Sequence, residues 1–88
     1  GLPNLQSLGK LLIGEHTREM LECDLKLENQ AIPDLRDGIE YAESIRDYGS
    51  RELLVSILES EEEHVDWLET QLQLIDSVGI ENYQQSMI

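Results

Sequence analysis

Apolar residues recur along this chain at helical spacing, mostly in steps of three and four with one gap in each row. One row runs through Leu21, Leu25, Ile32, Leu35, Ile39 and Ala42; a second runs through Leu54, Ile57, Leu58, Val65, Leu68, Leu72 and Ile75. At roughly 100° per residue, each row is one face of an α-helix. Thr17 is placed to cap the first, which is predicted over residues 17–46. The stretch "RDYGS" makes a break around Gly49, Ser50 is placed to cap a second helix over 50–77, and Gly79 ends it. The connection is short, so the two helices are expected to lie antiparallel. Residues 1–16, with Pro3, Asn4, Gly9 and Gly14 among scattered leucines, are expected to be irregular, with at most a short helical turn near Leu8–Leu12. Residues 80–88 have the length of a docked terminal helix. No strand signal occurs, and the fold class is all-α: a helical hairpin plus a short C-terminal helix. Pro33 falls inside the first helix and is expected to kink rather than break it, because the apolar phase continues to Ile39.

Both rows are interrupted by an acid. Glu28 fills the gap between Leu25 and Ile32, and Glu61 falls near the centre of the second stripe with His64 on its edge. Asp24 lies at the edge of the first stripe, one turn before Glu28. An isolated ionised carboxylate in an apolar core costs several kcal/mol, roughly, even after relaxation. The basic residues Arg18, Lys26, Arg36, Arg46 and Arg51 fall off the apolar centres or near helix ends, and Lys10 lies in the N-terminal segment. A cation from outside the chain is the better partner. Glutamate and histidine at i, i+3 put both heads within reach of one ion, and carboxylates with one imidazole suit iron or manganese better than structural zinc. Di-iron carboxylate bundles use a glutamate from each of two helices and Glu-x-x-His from each of the other two. Glu28 and the stretch "EEEH" at 61–64 therefore make half of such a site, and a second hairpin must supply the rest.

Composition narrows the partners. With 19 acids against 6 basic residues, the formal net charge is −13. That disfavours nucleic acid and anionic membrane surfaces and favours cations or basic proteins. At 88 residues the chain makes one small domain at most, and without phenylalanine its core must be aliphatic. Cys23 is the only cysteine, which excludes an intrachain disulfide and a cysteine zinc cluster and fits a reducing cytoplasm. No apolar run reaches the length of a membrane span and no signal peptide is visible. The opening at Gly1 reads like the middle of a loop, so a processed or incomplete polypeptide is expected. Met20, Leu27, Ala31 and Ile45 form a second apolar edge on the first helix, which suggests packing against further subunits, or in part against the N-terminal segment. Ordering the backbone costs about 1–2 kcal/mol per residue, so a hairpin with one open seam is not expected to be a stable monomer.

The stretches "GLPNLQSLGKLLIGE", "LECDLKLE", "DYGSRELL" and "ILESEEEHVDWLETQLQLI" resemble the C-terminal half of a bacterioferritin, over essentially the whole chain. The resemblance implies half of a ferritin-like four-helix bundle that assembles into a hollow shell of 24 subunits. It also implies Fe(II) oxidation at an intrasubunit di-iron centre and storage of the ferric product. By position, Glu28 resembles a terminal carboxylate on one iron, Glu61 a carboxylate bridging both irons, and His64 the imidazole on the same iron as Glu28. Trp67 resembles a tryptophan near the centre that can donate an electron; simple interhelix packing explains it equally well. Asp66 would line an intersubunit pore on this resemblance alone. Residues 1–16 match the crossover between the second and third helices. The family's first two helices, with the remaining di-iron ligands and the methionine that holds haem b, lie outside this sequence; neither Met20 nor Met87 matches that methionine. The implied partners are the missing helix pair or a second copy, the shell, and a ferredoxin as electron donor.

Three readings compete for the same residues. Asp24 is either an acceptor that orients a ligand N–H or a flank acid reaching water. His64 alone would be a satisfied core histidine; its pairing with Glu61 and Glu28 favours a metal ligand. The whole pattern also fits a non-catalytic helical interaction module whose seam acids specify register, or a di-iron oxygenase or peroxidase. His16 and Cys23 belong to no constellation.

Overall fold

The computed structural model describes the backbone of residues 3–86 and the side chains of residues 14–85. It is a helical hairpin with a short third helix: α1 (Pro3–Ser44), α2 (Tyr48–Val78) and α3 (Ile80–Ser86). Its principal extents are 68 × 18 × 17 Å. No strand occurs among the described residues.

The first helix begins well before Thr17, which lies inside it rather than at its start. Two facts of the sequence explain the extension. Pro3 opens the helix, where its missing N–H costs nothing and its fixed φ is already helical. Gly9 and Gly14 each disfavour a helix by only about 1 kcal/mol, too little to stop one. The crossover expected over residues 1–16 is thus helical from Pro3 onward, and the packing expected of its leucines lies outside the described side chains. Pro33 is exposed and α1 runs through it without interruption. On that face, water can take the carbonyl that proline leaves without a donor.

The turn between the long helices is a Schellman motif. The Asp47 N–H donates to the Ala42 carbonyl at 2.8 Å and the Arg46 N–H to the Glu43 carbonyl at 3.0 Å. Arg46 takes the left-handed conformation, φ 61°, that this motif requires and that glycine usually fills. The next residue, Asp47, already caps α2. Asp47, not Ser50, is the N-cap: its Oδ1 accepts the Ser50 N–H at 3.1 Å and its Oδ2 accepts the Ser50 hydroxyl at 2.6 Å. The Ser50 hydroxyl, and after it the Ser50 N–H, hold the Asp47 carboxyl below the usual carboxylate range.

Gly79 ends α2 with φ 81°, its N–H donating to the Ile75 carbonyl at 2.8 Å. The chain then folds back as α3 onto the hairpin. Gly14 of α1 permits that approach, because a Cβ there would stand 2.6 Å from Ile80 Cγ1. Tyr83 is buried and donates its hydroxyl to Gln71 Oε1 at 2.7 Å. Tyr83 therefore joins Ile32, Ala42, Leu68 and Ile75 as buried core among the described residues. Each fully buried aliphatic of this kind contributes about 1.5–3 kcal/mol. The rest of both rows, including Leu21, Leu25, Leu35, Leu54, Leu58 and Leu72, is only half-buried, and Ile57 falls outside the seam, exposed. Met20, Leu27 and Ile45, the second apolar edge of α1, are exposed. Two helices leave their apolar faces half covered.

Candidate metal centre

Halfway along the hairpin, α1 and α2 bring three donor groups together. Asp24 and Glu28 stand one turn apart on α1, so their heads share a face; His64 projects from the facing turn of α2. One donor atom from each of the three lies within 4.8 Å of the others. Asp24 Oδ2 and His64 Nε2 are 3.2 Å apart. One turn on from His64, Trp67 lays its ring parallel to the imidazole, 6.1 Å between centroids and 8° between planes.

Glu28 is the anomaly of this group. Its Oε2 is buried and has no hydrogen-bond partner. A buried acceptor left unmatched costs about 1–3 kcal/mol, and more when charged. A cation beside His64 would remove that cost, so the donor set fits a metal ion of the oxygen- and imidazole-loving kind.

Of the residues expected from sequence, Glu28 and His64 meet here. Asp24, for which two roles were open, is in direct contact with the histidine. Glu61 is half-buried one turn before His64 but is not among the converging atoms. Trp67 is 47% exposed and stacked on the histidine. The carboxylate cluster is therefore drawn mainly from α1. The sequence signal for Asp24 was its place one turn before Glu28 at the stripe edge.

A helical hairpin with carboxylates and an imidazole at mid-height has the form of half of a four-helix bundle, a class whose facing helices can build metal sites in the core. The comparison with known families agrees: residues 1–78 match the ferritin family, described as a ferritin-like domain, and the chain belongs to it. Within that family, the chain is 43% identical over 88 residues to a bacterioferritin of Mycobacterium bovis. It is 42% identical over 85 residues to a bacterioferritin of Brucella melitensis, and 40% over 87 residues to a bacterial ferritin of Synechocystis. These alignments take in 100%, 97% and 98% of this chain but 55%, 53% and 56% of those proteins. The chain spans about half the length of the curated relatives it matches.

Proposed function

We propose that this chain supplies one half of a di-iron ferroxidase site in an iron-storing assembly, with Glu28, Glu61 and His64 as its iron ligands. The observation that carries the reading is the buried, unpartnered Glu28 Oε2 beside His64. Fe(II) is the substrate: two ions give one electron each, and dioxygen with two protons becomes hydrogen peroxide. Glu28 binds by carboxylate oxygen, which offsets the ion's charge and favours the ferric product over the ferrous reactant. His64 adds one neutral nitrogen donor. Glu61, half-buried one turn before His64 on α2, would supply a further carboxylate to the iron. The net charge of −13 draws cations to the site.

The other ligands come from a second hairpin, and the half-covered apolar rows of α1 and α2 are the surface it packs on. The exposed edge of Met20, Leu27 and Ile45 fits contacts to further subunits of a shell. Among the described residues no helix is long and apolar enough to cross a membrane. Haem b and a ferredoxin donor follow only from the family resemblance, which puts the haem-ligating methionine outside this sequence.

The test is stopped-flow mixing of anaerobic Fe(II)-loaded protein, assembled with its second hairpin, with dioxygen. The rise of ferric absorbance is expected to slow at least about 100-fold in Glu28→Ala and in His64→Ala, the scale of losing a metal ligand that acts in the reaction. Unchanged rates in both variants, with assembly intact, would instead establish the helical interaction module.

A further inference from the structure

We propose that Asp24 is a positioning residue: it holds His64 as the tautomer protonated on Nε2 and so keeps the Nδ1 lone pair for the metal. The proposal rests on the reading of His64 as a ligand, and it assigns which nitrogen does the binding and what decides it.

Asp24 Oδ2 lies 3.2 Å from His64 Nε2, across the gap between α1 and α2. An ionised carboxylate only accepts hydrogen bonds. The proton of that contact therefore belongs to Nε2, which donates it. A neutral imidazole has a single ring proton, so Nδ1 is left with its lone pair, the form that a metal ion requires. The parallel Trp67 ring limits rotation of the imidazole from one face, while the Asp24 contact fixes it in its own plane. Glu28 differs from Asp24 in one respect: its Oε2 has no partner at all. The two acids of α1 thus divide the work. One is occupied by the imidazole, and the other faces the site with an oxygen free to bind.

The division separates this role from direct ligation by Asp24. A carboxamide in place of Asp24 still offers a carbonyl oxygen to the Nε2–H but is a poor metal ligand. Asp24→Asn should therefore keep the tautomer, and Asp24→Ala should lose it. The experiment is imidazole ¹⁵N spectroscopy of the full chain, metal-free, in the assembly it forms, with helicity of each variant checked by circular dichroism. Wild type and Asp24→Asn are expected to show His64 as a single Nε2–H form, and Asp24→Ala a mixture of both tautomers. Cobalt(II) titration of the same samples should weaken about 10–100-fold in Asp24→Ala, with Asp24→Asn close to wild type. An Nδ1–H form in the wild type, or an unaltered tautomer in Asp24→Ala, overturns the proposal. So does cobalt affinity lost equally in Asn and Ala, which would make Asp24 a ligand. The tautomer is read without metal. Failure of the ferroxidase reading, seen as unchanged iron oxidation in Glu28→Ala, therefore leaves this result standing, and the reverse also holds.

Discussion

The docked end of the hairpin and its middle are made by the same two long helices and come out differently. Where α3 folds back, Ile75 is 1% exposed, Tyr83 is 4% exposed and Gly14 is buried. Near His64, the side chains of His64 and Asp24 are 42% and 48% exposed. Leu68, one turn beyond His64, is fully buried, so the middle has a dry layer but no roof. Three helices complete a core; two leave a seam. The polar groups of the centre lie along that seam, where, on the proposed function, a second hairpin would both dry the apolar rows and bring further ligands.

The contrast can be broken from either side. The largest effect on stability is expected from Leu68→Ala, about 2–5 kcal/mol by chemical denaturation, because that side chain supports the hairpin at its middle. Gly14→Val should act at the docked end alone. Its side chain would meet Ile80, for a cost of about 1–3 kcal/mol, read as faster amide exchange in α3 with the His64 tautomer unchanged. Spread of that damage to His64 would show that the two regions are one cooperative unit. Tyr83→Phe removes the bond to Gln71 and should cost about 0.5–1.5 kcal/mol, again with exchange confined to α3. The smallest effect belongs to Asp47. Its folded pKa is depressed, so its contribution is present above the unfolded value and is lost as pH falls through the folded one. Acid titration should therefore loosen amides in the first turn of α2 in that low window, and Asp47→Ala should abolish the dependence.

Much of this was legible in sequence, for reasons that differ by region. The two rows at steps of three and four fixed the hairpin, since burial enforces that spacing. Glu28 and His64 were visible because each breaks or edges a row where an apolar residue belongs. The start of α1 was not legible, because Pro3, Gly9 and Gly14 carry loop-like composition while each has a helical use; Gly14 is there for Ile80. The cap at Asp47 was hidden by Ser50, its own hydrogen-bond partner. The choice between Asp24 and Glu61 as neighbour of the histidine depends on helix rotation across the seam, which no single row specifies. Ile57 fell to the exposed side for the same reason.

The turn sets the height of the centre. Arg46, the left-handed residue of the turn, stands midway in sequence between Glu28 and His64. Counting outward from it along either helix reaches the same level, about 27 Å away at 1.5 Å per residue. The hairpin works as a folding ruler whose zero mark is one residue. A single insertion on one side would slide one scale by about 1.5 Å and rotate it by roughly 100°, turning His64 away from Asp24 while leaving every helix intact. Length of the turn, and not only the identity of the ligands, is part of the site.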